Sequence, residues 1–302
     1  MTPLAVSARR RLCAVLTCFN RREKTLACLE ALQASGRDTE GIDLQAVLVD
    51  DGSTDGTAVA VRLRFPWVDV VQAEGDLYWC RGMHRAVALA MTRAPDFLLW
   101  LNDDTFLIPD ALARLVACHD NLLRQRGRAV IVVGSTHSSH GGAVTYGGER
   151  RVSPWRPARF RKVEPQAQAA RIDTFDGNIV LLSLPVAAQV GNLDSAFEHA
   201  MGDFDYGLRA SKLGVELWLA PEWHGICDSN SVTGTFRDPA LPWRRRWQLM
   251  MSPKGLPPRS WWLFNRRHSG LLGPLVFAWP YLRTLTLRNE AAAGRAPIGP
   301  VP

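Results

Sequence analysis

Short apolar runs alternate through the first 220 residues with stretches whose apolar positions recur every three or four residues. The run at 12–17 precedes a helical pattern with Leu26, Leu29 and Leu32 on one face, which stops at Ser35-Gly36. A second run at 44–49 leads into a helix at 58–63 that Phe65-Pro66 breaks. The series continues with a strand at 68–71, a helix at 83–92, a strand at 97–101 and a helix from 109 to about 124. Beyond 128–134 the pattern weakens. Gly, Ser and His fill 134–148, and the basic, proline-containing stretch 150–165 reads as an irregular excursion. A strand at 179–184, a helix at 203–213 and a last strand at 215–220 follow, and from Pro239 the character shifts to Trp, Arg and Pro.

Such alternation predicts an α/β fold with a mostly parallel sheet covered by helices on both faces. In sheets of this kind ligands bind outside the carboxyl ends of the strands. The chain therefore divides into a catalytic unit at 1–238, with halves at about 11–134 and 135–238, and a basic aromatic extension at 239–290, helical or irregular. The Ala-, Gly- and Pro-rich stretch 291–302 is expected to be disordered.

Composition narrows the class. With 47% hydrophobic and 22% charged residues, the 302-residue chain can bury a real core and is not of the disordered type. Its net charge of +7 suits an anionic partner without choosing one. The six cysteines show no metal spacing and read as reduced thiols. Residues 1–10 are too short and polar for a signal-peptide core, and no stretch reaches the roughly 20 apolar residues of a spanning helix, so a cytoplasmic protein is expected.

Two polar clusters stand at predicted strand ends. Asp50, Asp51 and Asp55 lie within one turn, a self-repelling arrangement that a bound ligand would explain; the plainer reading is a shaped turn and a helix cap. Asn102-Asp103-Asp104 offers oxygen ligands to a divalent cation, or else caps a turn.

Taken in order, Thr17-Cys18-Phe19-Asn20-Arg21, Asp50-Asp51-Gly52-Ser53-Thr54-Asp55, Asn102-Asp103-Asp104, Asp176-Gly177-Asn178 and Gly202-Asp203-Phe204-Asp205-Tyr206-Gly207-Leu208-Arg209 resemble the family 2 inverting glycosyltransferases of GT-A fold. The resemblance spans roughly 12–220 and implies a Rossmann-like GT-A sheet that takes a nucleoside-diphosphate sugar. It carries the nucleotide role to Thr17, Phe19, Asn20, Arg21 and Asp51, the Mg²⁺ or Mn²⁺ role to Asp104, and a ribose or neighbouring contact to Asp103. Asp203 inherits the general base that deprotonates the acceptor hydroxyl. Two positions depart from the pattern: Asn102 stands where the metal element has its first Asp, and Gly202 where a Glu is common, which removes an acid that would raise the pKa of Asp203. In the stretch 75–84, Trp79, Arg81 and His84 are candidates for the sugar or diphosphate, or else core and surface residues. His224 reads as an ordinary loop histidine.

The extension mixes Trp243, Trp247, Trp261 and Trp262 with Arg244–Arg246, Arg266 and Arg267, as a surface meeting anionic lipid headgroups would, or as helices packed on the sheet. The reading that follows is a sugar transferase acting on a glycan or lipid-linked acceptor in surface polysaccharide or lipid-linked glycan synthesis, peripheral on the cytoplasmic face of the membrane. A nucleotidyltransferase lacks its Gly-rich, Lys-containing loop here. Nucleic acid is not expected, because the ordered aspartates would repel it. A non-catalytic nucleotide-sugar binder is the remaining alternative.

Overall fold

The computed structural model describes residues 9–37 and 39–286. Its elements run β1 (Arg10–Cys18), α1 (Arg22–Arg37), β2 (Ile42–Asp50), α2 (Thr57–Arg64), β3 (Val68–Gln72), α3 (Tyr78–Met91), β4 (Phe97–Leu101), β5 (Phe106–Leu107) and α4 (Ala111–Arg126). Then come β6 (Val130–His137), β7 (Val144–Tyr146), β8 (Gly148–Ser153), β9 (Arg156–Lys162), β10 (Ala170–Arg171), β11 (Thr174–Phe175), β12 (Ile179–Ser183), α5 (Leu184–Val190), α6 (Gly202–Lys212) and β13 (Glu216–Ile226). The chain continues through α7 (Trp243–Met251), α8 (Pro258–His268), a single 3₁₀ turn (Gly270–Leu272) and α9 (Gly273–Thr286).

The main sheet has the order β10-β13-β6-β12-β4-β1-β2-β3. Strands β4, β1, β2 and β3 are parallel, β12 is inserted antiparallel between β4 and β6, and β13 runs parallel to β6. Strand alternation sends successive side chains to opposite faces. Leu12, Ala14 and Leu16 of β1 pack with Leu26, Leu29 and Leu32 of α1 on one side, while Cys13 and Val15 pack with Met83 and Val87 of α3 on the other. Trp261 and Phe264 of α8 join the second cluster, so the C-terminal helices pack against the helices and strands of this side of the sheet.

The stretch 150–165 is not irregular. It holds the hairpin β8–β9, which pairs with β11 in a separate three-stranded sheet. The hydrophobic alternation that marks a strand is missing because the hairpin pairs Arg150 with Arg161 and Arg151 with Phe160. The proposed tail 291–302 lies outside the described residues. All six cysteines are free, and five are buried.

Candidate active site

The first wall of the site is stitched from the ends of β1 and β2. Thr17 Oγ1 donates to the Val49 carbonyl at 3.1 Å, and a Cβ at position 82 would overlap Thr17, so Gly82 lets α3 close down on this strand end. Asn20 takes a left-handed φ of 51°, tolerated by asparagine. From there its side-chain oxygen accepts the Thr54 N–H at 2.8 Å while its own N–H donates to Ser53 Oγ at 2.9 Å. Asp55 accepts the Arg22 N–H and the Thr57 N–H, each at 3.0 Å, and so tethers the starts of α1 and α2. Phe19 is left 48% exposed at the rim, an aromatic face open to a flat ligand.

The two leading aspartates have separate tasks. Asp50 is fully buried and shapes the turn by accepting the Ser53 N–H at 2.9 Å; its second oxygen has no partner among the described residues. Asp51 reaches across to the segment before α3 and accepts backbone N–H groups of Gly75, Leu77 and Tyr78 at 3.0–3.2 Å. Its carboxylate thus orders the loop that leads into α3, on whose first turn Trp79 lies. Glycine is required at position 52, where φ is 77° and a Cβ would lie 2.9 Å from the Gly75 nitrogen.

At the end of β4 the three polar residues diverge. The Asn102 amide oxygen accepts the Trp79 indole N–H at 2.6 Å. Asp103 is buried, facing Thr25 and Arg21 at 3.4 Å each; burial first, opposed by Arg21 and reinforced by Asp104, pushes its carboxyl up to about 7. Asp104 forms a 2.7 Å ion pair with Arg21, and its other oxygen faces the Cys227 thiol at 3.7 Å. Among the described residues no group of three or more His, Cys, Asp or Glu side chains is arranged to hold a metal. With Asn102 committed to Trp79, the donor set fits a cation that brings its other ligands as phosphate oxygens and water, Asp104 being the protein's carboxylate.

Asp203 opens α6 on the opposite wall. Its oxygens accept the Gly177 N–H at 3.1 Å and the Phe204 N–H at 2.9 Å. Burial, then the charge of Asp176, raises its carboxyl to about 7, opposed by those backbone N–H groups. The acidic neighbour that Gly202 fails to supply is therefore furnished by Asp176, itself held by Lys162 at 2.8 Å and the Gly147 N–H at 3.1 Å. No glutamate would fit at position 202, because a Cβ there would overlap Cys80 Sγ. Trp79 joins the walls: a Cβ on Gly177 would lie 2.5 Å from the indole, so the ring that holds Asn102 also lies over the residue that donates to Asp203.

Arg81 donates to the Ser195 carbonyl at 3.0 Å and pairs with Glu198 at 3.3 Å, and His84 contacts the Leu193 carbonyl at 2.6 Å. Both fasten α3 to the segment before α6. His224 lies within β13 rather than in a loop. It is fully buried, neither ring nitrogen has a well-formed hydrogen bond among the described residues, and burial, then Arg114, pushes it down to about 4 against the Glu222 backbone.

The sequence pattern singled out neither Lys162 nor His199, read Cys227 only as a reduced thiol, and did not pair Arg267 and His268 of the extension with Asp205. The His199 ring is pushed down to about 4 by burial and then by Lys254 and Arg21. Only spatial neighbours mark Lys162, Cys227 and His199, since none of the three sits in a motif.

A family model described as glycosyl transferase family 2 matches residues 13–191, more than half of the chain. Among solved structures, S. aureus TarS 1–349 is similar at a TM-score of 0.54 and 14% identity, over 93% of this chain and 77% of that one. The mannosyltransferase PcManGT from Pyrobaculum calidifontis, solved with GDP-Man and Mn²⁺, gives 0.52 and 19% over 96% and 77%. GalNAc-T7, solved with UDP, GalNAc and Mn²⁺, gives 0.52 and 13% over 71% and 43%. At such identities the likeness is one of fold. No curated protein sequence matches the chain significantly.

Proposed function

The chain belongs to glycosyl transferase family 2, and from that premise we propose that it moves a sugar from a nucleoside-diphosphate sugar to an acceptor hydroxyl with inversion, Asp203 acting as general base. One observation carries this reading. The motif at the end of β4 and the acid opening α6 meet across a single indole, Trp79, with Asn102 on one side and Gly177-Asp203 on the other.

In this reading the donor half is about 11–134 and the acceptor half about 135–238. Thr17, Phe19, Asn20 and Asp51 form or support the nucleotide wall, and Phe19 offers the base an exposed ring. Arg81 serves the donor pocket indirectly, by bracing α3. Asp203, half-buried and raised to about 7, is poised to take the acceptor proton near neutral pH. The acceptor oxygen attacks the anomeric carbon from the face opposite the leaving diphosphate, so the anomeric centre inverts. Asp104, with Asp103 behind it, is the residue that would hold Mg²⁺ or Mn²⁺, the cation seen with two of the similar structures. When bound, the cation supplies charge neutralisation to the diphosphate. The acceptor is a glycan or a lipid-linked glycan, as in surface polysaccharide or lipid-linked glycan synthesis.

Calorimetric titration with UDP, GDP, dTDP and their sugars, with and without Mn²⁺, tests the donor site in wild type, Asp104→Ala and Asp51→Ala. One nucleotide should bind more tightly with metal, and that gain should vanish in Asp104→Ala. Asp51→Ala should weaken binding with or without metal, since it releases the loop at 75–78. Absence of binding at millimolar nucleotide would overturn the donor reading. Transfer at full rate by Asp203→Asn would overturn the base.

A further inference from the structure

The C-terminal helices divide the tryptophans and arginines of the extension into two populations. Trp261 and Phe264 are buried in the core, Arg246 is buried, and Arg267 is spent on ion pairs with Asp194 and Asp205. The outward population is ordered. Leu271, Leu275, Trp279 and Leu282 are 100%, 71%, 61% and 56% exposed. Their spacing of four, four and three residues places them on one face of α9 and the turn before it. The opposite face of α9 is anchored: the Phe277 carbonyl accepts the Trp261 indole N–H at 3.2 Å, and Thr284 Oγ1 contacts Met250 Sδ at 3.4 Å.

Helix α8 carries a matching charge pattern. Arg259, Trp262 and Arg266 are exposed at spacings of three and four on one face, and the Trp262 ring meets Phe277 of α9 edge-on at 5.2 Å. Neither Arg259 nor Arg266 has an ion-pair partner among the described residues. Such pairs are scarce here for a compositional reason: no Asp or Glu occurs between Asp238 and Glu290. A helical bundle facing only water gains nothing from excluding acids over fifty positions while exposing four large apolar side chains in a row.

We propose that this α8–α9 face is a docking surface for an anionic phospholipid bilayer, with the α9 stripe in the headgroup region and Arg259 and Arg266 on lipid phosphates. Exposed leucine and tryptophan bury apolar area at the interface, and cations beside them gain from the negative surface potential. Docking is peripheral, since no helix among the described residues is long and apolar enough to cross a membrane. Because Asp205 of α6 holds Arg267 and His268 of α8, a docked α8 also sets the orientation of the helix whose first turn carries Asp203. That the acceptor is anchored in the same bilayer is a further consequence and rests on the transferase reading.

Vesicle flotation with the full chain tests the surface without reading nucleotide, so its outcome is separate from that of the donor titrations. Wild type should float with phosphatidylcholine–phosphatidylglycerol vesicles and not with phosphatidylcholine alone. Arg259→Glu/Arg266→Glu should weaken this by at least about fivefold per arginine, and Leu275→Glu/Trp279→Glu should abolish it. All four positions are exposed, and an unchanged melting temperature confirms that each variant is folded. Equal flotation with both vesicle types would overturn the charge assignment. No flotation, or a wild-type dimer in sedimentation velocity that Leu275→Glu/Trp279→Glu disperses, would overturn the proposal in favour of a second copy of the chain.

Discussion

Arg21 and Asp203 carry the most specific consequences at the scale of single residues. The Arg21 guanidinium sits 2.7 Å from Asp104, the carboxylate proposed to take the cation, so in that reading it competes for Asp104 while the diphosphate is absent. Arg21→Met should therefore raise the affinity of the nucleotide-free protein for Mn²⁺ about fivefold, the worth of a ~1 kcal/mol half-exposed ion pair. Manganese paramagnetic resonance reads this directly, and unchanged affinity would mean that the pair does not guard the site. For Asp203 the sign is fixed by the direction of its shift. A base must be deprotonated, and a carboxyl raised to about 7 is protonated below that pH, so kcat/KM should climb as pH rises through about 7. Asp176 contributes to that rise through its negative charge. Asp176→Asn should move the ascending limb to lower pH, and a limb that stays in place would show burial alone to be responsible.

At the scale of elements, a buried polar cluster joins α6 to α8. Asp205 is fully buried and receives Arg209 at 2.8 Å, His268 at 2.9 Å and Arg267 at 3.0 Å. Burial would raise its carboxyl, but hydrogen bonds from His268 and Arg209, with Arg267 behind them, hold it below the ordinary value. A lowered folded-state value means the stabilisation is fully present above the unfolded value near 3.8 and is lost only as pH falls through the folded one. At pH 7 the whole contribution is in force. Asp205→Asn should cost about 3–5 kcal/mol, because it takes the anion from the half-buried cations Arg209 and Arg267 and an acceptor from the buried His268. Thermal melting checks this, and a loss below about 1 kcal/mol would show that water or rearrangement satisfies them. The hairpin β8–β9 shows the reverse relation, an element whose sequence looks irregular and whose pairing is decided by its neighbours β11 and α6: Phe160 meets Phe204 edge-on at 5.2 Å.

At the scale of the whole molecule, the positive charge is concentrated where the acids stop, at the C-terminal helices, while the aspartates gather at the strand ends. The alternation of apolar runs and helical patterns was legible without the structure because it is local: each strand and helix declares its buried face within a few residues. The order of the polar clusters was legible for the same reason, since turn residues follow their strands directly. That order was enough to place Thr17, Asn20, Asp51, Asp104 and Asp203 at strand ends and a helix start. Tertiary packing decided which groups those residues face. It gave the Asn102 amide to Trp79, the Asp104 carboxylate to Arg21, the Asp51 carboxylate to a loop 24 to 27 residues downstream, and the role of acidic neighbour to Asp176. It also turned Trp261 inward and Trp279 outward in a segment of nearly uniform composition. The physical reason is the range of the interactions. Periodicity records only which side of an element is dry, whereas hydrogen bonds, ion pairs and desolvation depend on groups that the chain brings together from a hundred residues away.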